Sequence, residues 1–152
     1  MAYRQNFLYS FALFSLLILV ACSNQETLKK NDQGATPEQV VRAYFEAWDR
    51  KDWKVMYPVI SDGFKKIDPD AKDQEAFSKF ASNQGIEGIK ILNLKETLFD
   101  ETTAAVDYSI EFKLSNGATR KFDSTYTLKY RAKDKVSGWK LIHPYGPNVD
   151  TS

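Results

Sequence analysis

Few residues in this chain could do chemistry, and their spacing does not group them. His143 is the only histidine, so a zinc or iron site would have to rest mostly on carboxylates, and no metal site is expected. The densest acidic run, "DPDAKD", offers Asp68, Asp70 and Asp73. A calcium loop starting at Asp68 would need glycine where Asp73 stands and glutamate where Lys79 stands. A solvated turn entering a helix explains the run better. Proton-transfer chemistry would need an aspartate base facing a tyrosine oxyanion donor, and the available types are Asp107, Asp123, Tyr44, Tyr57, Tyr108 and Tyr126. Strand alternation sends Asp107 and Asp123 to a polar face and Tyr108 and Tyr126 to an apolar one. Acid and donor therefore point apart, and neither a catalytic constellation nor a cofactor is expected. His143 precedes Pro144, which favours extended backbone and a place at a strand end.

The single cysteine, Cys22, raises a different chemistry. Residues 1–21 open with Arg4, continue through an apolar run from Phe7 to Val20, and end in small residues, the layout of a secretory signal. The run falls short of the ~20 residues that span a bilayer, so cleavage is expected rather than a transmembrane anchor. Leu19, Val20, Ala21 and Cys22 resemble the bacterial lipobox. That resemblance implies diacylglycerol on the cysteine sulfur, cleavage before it, and usually acylation of the new amine. It accounts for a lone cysteine that would otherwise be a reactive thiol in an exported chain. Two or more acyl chains make a stable anchor, so the expected site is the cell membrane or outer membrane, facing away from the cytoplasm. Cys22 to Ala35 is nearly devoid of apolar residues and reads as a tether.

Of the 21 basic residues only Arg4 lies in 1–21, which holds no acid, so 20 basic and 20 acidic residues remain. The basic pairs Lys29-Lys30, Lys65-Lys66 and Arg120-Lys121 stand apart, and nucleic-acid binding, which asks for a clustered basic stripe, is excluded. The rest suffices for one domain. Thr36, Pro37 and Gln39 form a capping-box start. Val40, Val41, Tyr44, Phe45 and Trp48 then recur at helical spacing. A second short helix should carry Trp53, Met56 and Tyr57 behind an Asp52 cap, and a third should run from about Asp73 to Asn83, ahead of Gly85. After Gly85 the period becomes alternating. Ile89 to Phe99 predicts one strand, and "AVDYSIEFKL" predicts another. Ser115-Asn116-Gly117 makes a hairpin turn, and the returning strand places Phe122, Tyr126, Leu128 and Tyr130 on one face. Gly138 to His143 predicts the last. Three helices followed by four antiparallel strands make an α+β fold, with the helices on one face of a curved sheet.

The aromatic first helix ending in "AWDRKDW", the continuation "MYPVIS", the segment "FSKFASNQGI" and the closing "GWKLIHP" resemble the NTF2-like (cystatin-like) superfamily of cone-shaped domains. More narrowly, they are similar to the N-terminal domain of methicillin-resistance-type class B penicillin-binding proteins. The likeness spans 36–147, leaving 148–152 as a C-terminal tail. Those enzymes carry a transpeptidase after this domain, and no such module follows within this sequence. Ser137-Gly138-Trp139-Lys140 matches the Ser-x-x-Lys string of such enzymes, but the motif works on a helix. Here glycine and a strand-like "WKLI" follow, with no Ser-Asp-Asn or Lys-Thr-Gly partner. By analogy the resemblance implies a non-catalytic protein-interaction or envelope-support module, bound to the lipid bilayer through acylated Cys22 and to an envelope protein. The alternative is small-molecule binding, or an enzyme activity, in the open end of the cone. Its lining is expected to come from Trp48, Trp53, Tyr57, Phe64, Tyr126 and Trp139. NTF2-like domains often pair through the open sheet face, which is polar here, so any homodimer should be weak.

Overall fold

The computed structural model describes residues 34–144. The leader 1–21, nearly all of the 22–35 tether, the last residues of the 36–147 span and the tail 148–152 lie outside them. Helix α1 (Pro37–Asp49) starts as its sequence requires: Thr36 Oγ1 accepts from the Gln39 N–H at 3.2 Å, and Gln39 Oε1 accepts from the Thr36 N–H at 2.9 Å. This reciprocal cap satisfies two of the donors a helix start leaves open. Val41, Tyr44, Phe45 and Ala47 are buried. Lys51, at φ 59, turns the chain into α2 (Trp53–Met56), which Asp52 caps. A 3-10 turn follows at Tyr57–Val59.

Helix α3 (Asp62–Ile67) adds to the three helices the sequence predicts, making four α-helices among the described residues. It is only six residues long, contains Gly63, and has no apolar stripe. Its signal is Ser61, whose Oγ accepts from the Phe64 N–H at 3.1 Å. Helix α4 (Gln74–Ser82) is capped by Asp73 and lies within the anticipated span.

Strands β1 (Ile86–Leu98), β2 (Thr103–Leu114), β3 (Thr119–Arg131) and β4 (Gly138–Leu141) form one antiparallel sheet in the order β1-β2-β3-β4. β1 begins three residues before the expected start at Ile89. β4 stops at Leu141 instead of His143. In the β2–β3 turn Gly117 takes φ +81, which favours glycine, and Asn116 Oδ1 accepts from the Ala118 N–H at 3.0 Å. Helix α1 is tied along β1: the Asp49 carboxylate takes the Ile89 N–H at 2.7 Å, Glu96 takes the Glu38 N–H at 2.8 Å, and Lys51 Nζ donates to the Ile86 carbonyl.

A polar clasp joins α3 to the β3–β4 connection. Asp134 Oδ2 accepts from the Asp62 N–H at 3.0 Å, and Asp62 Oδ2 accepts from the Lys135 N–H at 2.8 Å. Lys65 Nζ lies 3.1 Å from Asp62 Oδ1, and Arg131 Nε 3.6 Å from Asp134 Oδ1. Beside the clasp, Ile60 bridges Leu141. The buried core, from Val41 to Leu141, and every described helix and strand fall inside one compact unit.

Candidate functional site

The helix-facing side of the sheet is packed unevenly. Near β4 it is solid: Met56, Ile60, Phe64, Leu128 and Leu141 are each almost fully buried. Toward the β2–β3 turn it opens into a cleft of about 550 Å³, within the range of small-molecule sites. Helix α1 contributes Phe45 and Trp48, α4 contributes Phe80, and Gln84 follows just beyond its end. β2 adds Tyr108, Ile110 and Phe112, and β3 adds Phe122, Ser124 and Tyr126, with Ile86 and Pro144 completing the wall. Among the described residues no lining side chain carries a formal charge.

Strand pairing explains the grouping. Tyr108 lies opposite Ser124, Ile110 opposite Phe122, and Val106 opposite Tyr126, so inward-facing residues of both strands meet on one surface. Their rings form a tilted row. Tyr108 and Tyr126 lie 4.6 Å apart at 30°, Tyr108 and Phe122 6.2 Å apart at 34°, and Phe112 and Phe122 6.4 Å apart at 40°. Trp48 closes one side, its ring 6.0 Å from that of Phe112. Phe122 stands at the mouth with 49% of its surface exposed. It belongs to the apolar face that alternation assigns to it, but no element among the described residues covers it.

Most polar groups of the wall are occupied. The Tyr126 hydroxyl donates to the Pro144 carbonyl at 3.2 Å, and Gln84 Nε2 donates to the Phe80 carbonyl at 3.2 Å. Burial pushes the Tyr108 phenol up, partly offset by hydrogen bonds with Ser124 and Tyr126, so it stays neutral at physiological pH. The Trp48 Nε1–H is buried without a hydrogen-bond partner among the described residues.

Of the six residues expected to line the pocket, the structure brings together only Trp48 and Tyr126. Phe64 is core, edge-on to His143 at 5.1 Å. Tyr57 packs on Phe77, donates its hydroxyl to the Ala71 carbonyl at 3.0 Å and carries Lys65 over its ring. Trp139 is 6% exposed and packs edge-on against Tyr130. Trp53 is half-buried against the core. These four serve the solid end of the sheet, which they help fill. The residues not foreseen, chiefly Phe45, Phe80, Tyr108, Phe112 and Phe122, had one sequence signal: Ser124 interrupts the apolar row Phe122, Tyr126, Leu128. A small polar residue on an inward face marks a place that packing does not fill.

The other candidates fall elsewhere. Asp107 and Asp123 are exposed on the far side of the sheet, where Thr125 Oγ1 donates to Asp107 Oδ1 at 2.6 Å, away from the buried Tyr108 and Tyr126. Asp68 accepts from the Asp70 N–H at 2.8 Å while Asp73 caps α4. Among the described residues no group of His, Cys, Asp and Glu is placed to hold a metal ion. Ser137 precedes β4 rather than opening a helix, and Lys140 Nζ donates to the Pro58 carbonyl at 2.6 Å. A hollow of about 520 Å³ along α4 is walled by Asp70, Lys72, Asp73, Glu75 and Lys79 and is a charged surface groove.

Among solved structures, the chain is similar to a SEC-C motif-containing protein from Psychrobacter arcticus, at 14% identity and a TM-score of 0.53, covering 77% of this chain and 64% of that one. It thus spans just under two thirds of that protein. It is also similar to an NTF2-like protein of unknown function from Shewanella oneidensis, at 13% identity and a TM-score of 0.51, covering 68% and 88%. These likenesses concern the fold. No curated protein matches. A family profile described as an NTF2-like N-terminal transpeptidase domain matches residues 36–144, which takes in every helix and strand of the domain, and the chain belongs to that family.

Proposed function

We propose that this protein is a lipid-anchored envelope protein whose NTF2-like domain binds a ligand without transforming it, the aromatic cleft being the working surface and acylated Cys22 the hold on the bilayer. The observation that carries this reading is a cleft of about 550 Å³ whose lining is free of charged side chains. Acid–base and nucleophilic catalysis need an activated or titratable group at the reacting atoms. The polar complement here is hydroxyls, an amide and an indole N–H. Binding would draw on apolar surface withdrawn from water. The signal layout of 1–21 and the sequence around Cys22 support anchoring at the cell membrane or outer membrane.

A protein-interaction or envelope-support role is the second reading. It is favoured by the family description, which places this domain at the N-terminus of transpeptidases, and by Leu98 and Phe99 at the β1–β2 tip, 57% and 63% exposed.

The test uses residues 31–152 and the neutral probe N-phenyl-1-naphthylamine. The expected result is enhanced, blue-shifted emission that Phe122→Glu abolishes while the circular dichroism stays unchanged. No enhancement, or enhancement indifferent to the substitution, would transfer the function to the outer surface.

A further inference from the structure

At the end of the sheet opposite the cleft, the β1–β2 turn carries an apolar tip. Phe99, at 63%, is the most exposed large apolar side chain among the described residues, and Leu98 beside it is 57% exposed. The turn that presents them is well tied. The Phe99 and Asp100 N–H groups donate to the Thr103 carbonyl at 3.0 and 3.3 Å, and Asp100 Oδ1 accepts from the Thr102 and Thr103 N–H groups at 2.7 and 2.8 Å. Backbone fixed in this way has little ordering left to lose on contact with a partner. The β3–β4 connection lies at the same end, joined by the Tyr130 N–H, which donates to the Thr102 carbonyl at 2.7 Å. It adds Val136, 54% exposed. The exposed charges of the two connections are mixed, Lys133 and Lys135 with Asp100 and Glu101.

Helix α1 begins at this end. The N–H of Glu38, in its first turn, donates at 2.8 Å to the carboxylate of Glu96, two residues before Leu98 on β1. Cys22 and Thr36 are fourteen positions apart, a reach of at most about 50 Å. A lipid on Cys22 would hold the start of α1 within that reach of the bilayer, at a roughly millimolar effective concentration. Contacts too weak to bind a free protein to a membrane are occupied under that condition.

We infer that the β1–β2 tip docks on the bilayer surface, with Leu98 and Phe99 entering the boundary between headgroups and acyl chains, so that the domain stands on the membrane with its cleft turned outward. This rests on the reading of Cys22 as the lipid-bearing residue. Leucine and phenylalanine are side chains that settle in that boundary, and mixed charge at the tip makes the contact apolar, with no need of anionic lipid. β2 runs from the tip to the β2–β3 turn in twelve residues, about 35–40 Å at roughly 3.3 Å per residue. The cleft then takes its ligand from the aqueous side and not from among the acyl chains.

Cys22 is the only cysteine, so residues 22–152 can be coupled through it to a maleimide phospholipid in vesicles. Tryptophan is introduced by Phe99→Trp at the tip or by Thr119→Trp beside the β2–β3 turn, both exposed positions. Emission is compared in phosphatidylcholine vesicles with and without brominated acyl chains, and the parent chain supplies the baseline for Trp48, Trp53 and Trp139. The expected result is a blue shift and a loss of emission to bromine for Phe99→Trp and neither for Thr119→Trp. Adding phosphatidylglycerol should leave this unchanged, and adding Leu98→Glu to Phe99→Trp should abolish both signals while the circular dichroism stays the same. Quenching of Thr119→Trp as strong as that of Phe99→Trp, or stronger, would overturn the orientation. Quenching that requires phosphatidylglycerol would overturn the apolar contact. No quenching at either position would overturn the docking and return the tip to a protein partner. Each of these failures leaves the anchor reading intact, because the coupling is chemical and that reading stands or falls on palmitate incorporation at Cys22.

Discussion

Replacing Asp134 by alanine tests how the helical layer is held to the sheet. Its carboxylate takes the Asp62 N–H at 3.0 Å at the start of α3 and lies 3.6 Å from Arg131 Nε, with the side chain only 8% exposed. A hydrogen bond to a charged group is worth about 1.5–3 kcal/mol. Asp62 is half-buried, so water replaces part of the loss, and the cost should be about 1–2 kcal/mol, equivalent to roughly 4–8 °C in a domain of this size. The partner substitution, Asp62→Ala, removes the acceptor for the Lys135 N–H and the Lys65 ammonium. Because both carboxylates close one loop, the double variant should lose less than the two single variants added together. The clasp also has an acid signature. Burial alone would raise the Asp62 carboxyl, but the Lys135 N–H and the Lys65 ammonium outweigh it and hold it below the ordinary range. Its contribution is therefore present above the unfolded value near 4 and is lost as pH falls through the lower folded value. Asp62→Asn should flatten that part of the acid limb. The assay is urea unfolding of residues 31–152 between pH 7 and pH 2.5. An Asp134→Ala variant within about 0.3 kcal/mol of the parent, or strict additivity in the cycle, would refute the clasp.

Ile110→Ala, at a position only 1% exposed, should cost about 2–5 kcal/mol in the same assay. Thr36→Ala breaks the capping box at α1 and should cost about 1 kcal/mol. Cys22→Ser should abolish palmitate incorporation in growing bacteria and release the chain from the membrane fraction. A chain that remains membrane-bound without label would remove the lipid anchor from the proposal.

The parts of the fold legible in the sequence are those where one period repeats several times between definite ends. α1 has its capping box and five apolar positions at helical spacing, and the β2–β3 hairpin has two alternating runs about Asn116-Gly117. α3 is not legible because six residues hold too few turns for a period, and its single cap is a weak sign. The pocket was half legible for a related reason. Alternation tells which face of a strand a residue occupies but not whether anything covers that part of the face. Trp48 and Tyr126 border the cleft, whereas Trp53, Tyr57, Phe64 and Trp139 are equally aromatic but sit where α2, α3 and β4 fill the space. Which end of the sheet is filled depends on how the short helices lie across it, and that is a tertiary fact.

The contrast between the two ends bears on what the domain is for. Core packing favours filled volume, and the β4 end obeys this: Phe64, Ile60, Leu128 and Leu141 leave almost nothing exposed, although His143 Nδ1, beside Phe64, is buried there without a partner among the described residues. The other end departs from it in three independent ways within one small region. Phe122 keeps half its surface in water, Trp48 Nε1 is buried with no acceptor, and Ser124 occupies an inward position on β3. Each departure lowers stability, and each has an ordinary remedy in a larger or less polar side chain. A bound ring would answer the first departure by covering Phe122. Ser124 is then the small residue that keeps the space open. Departures from packing rules are expected where function requires them, and here all three meet on the walls of one cleft.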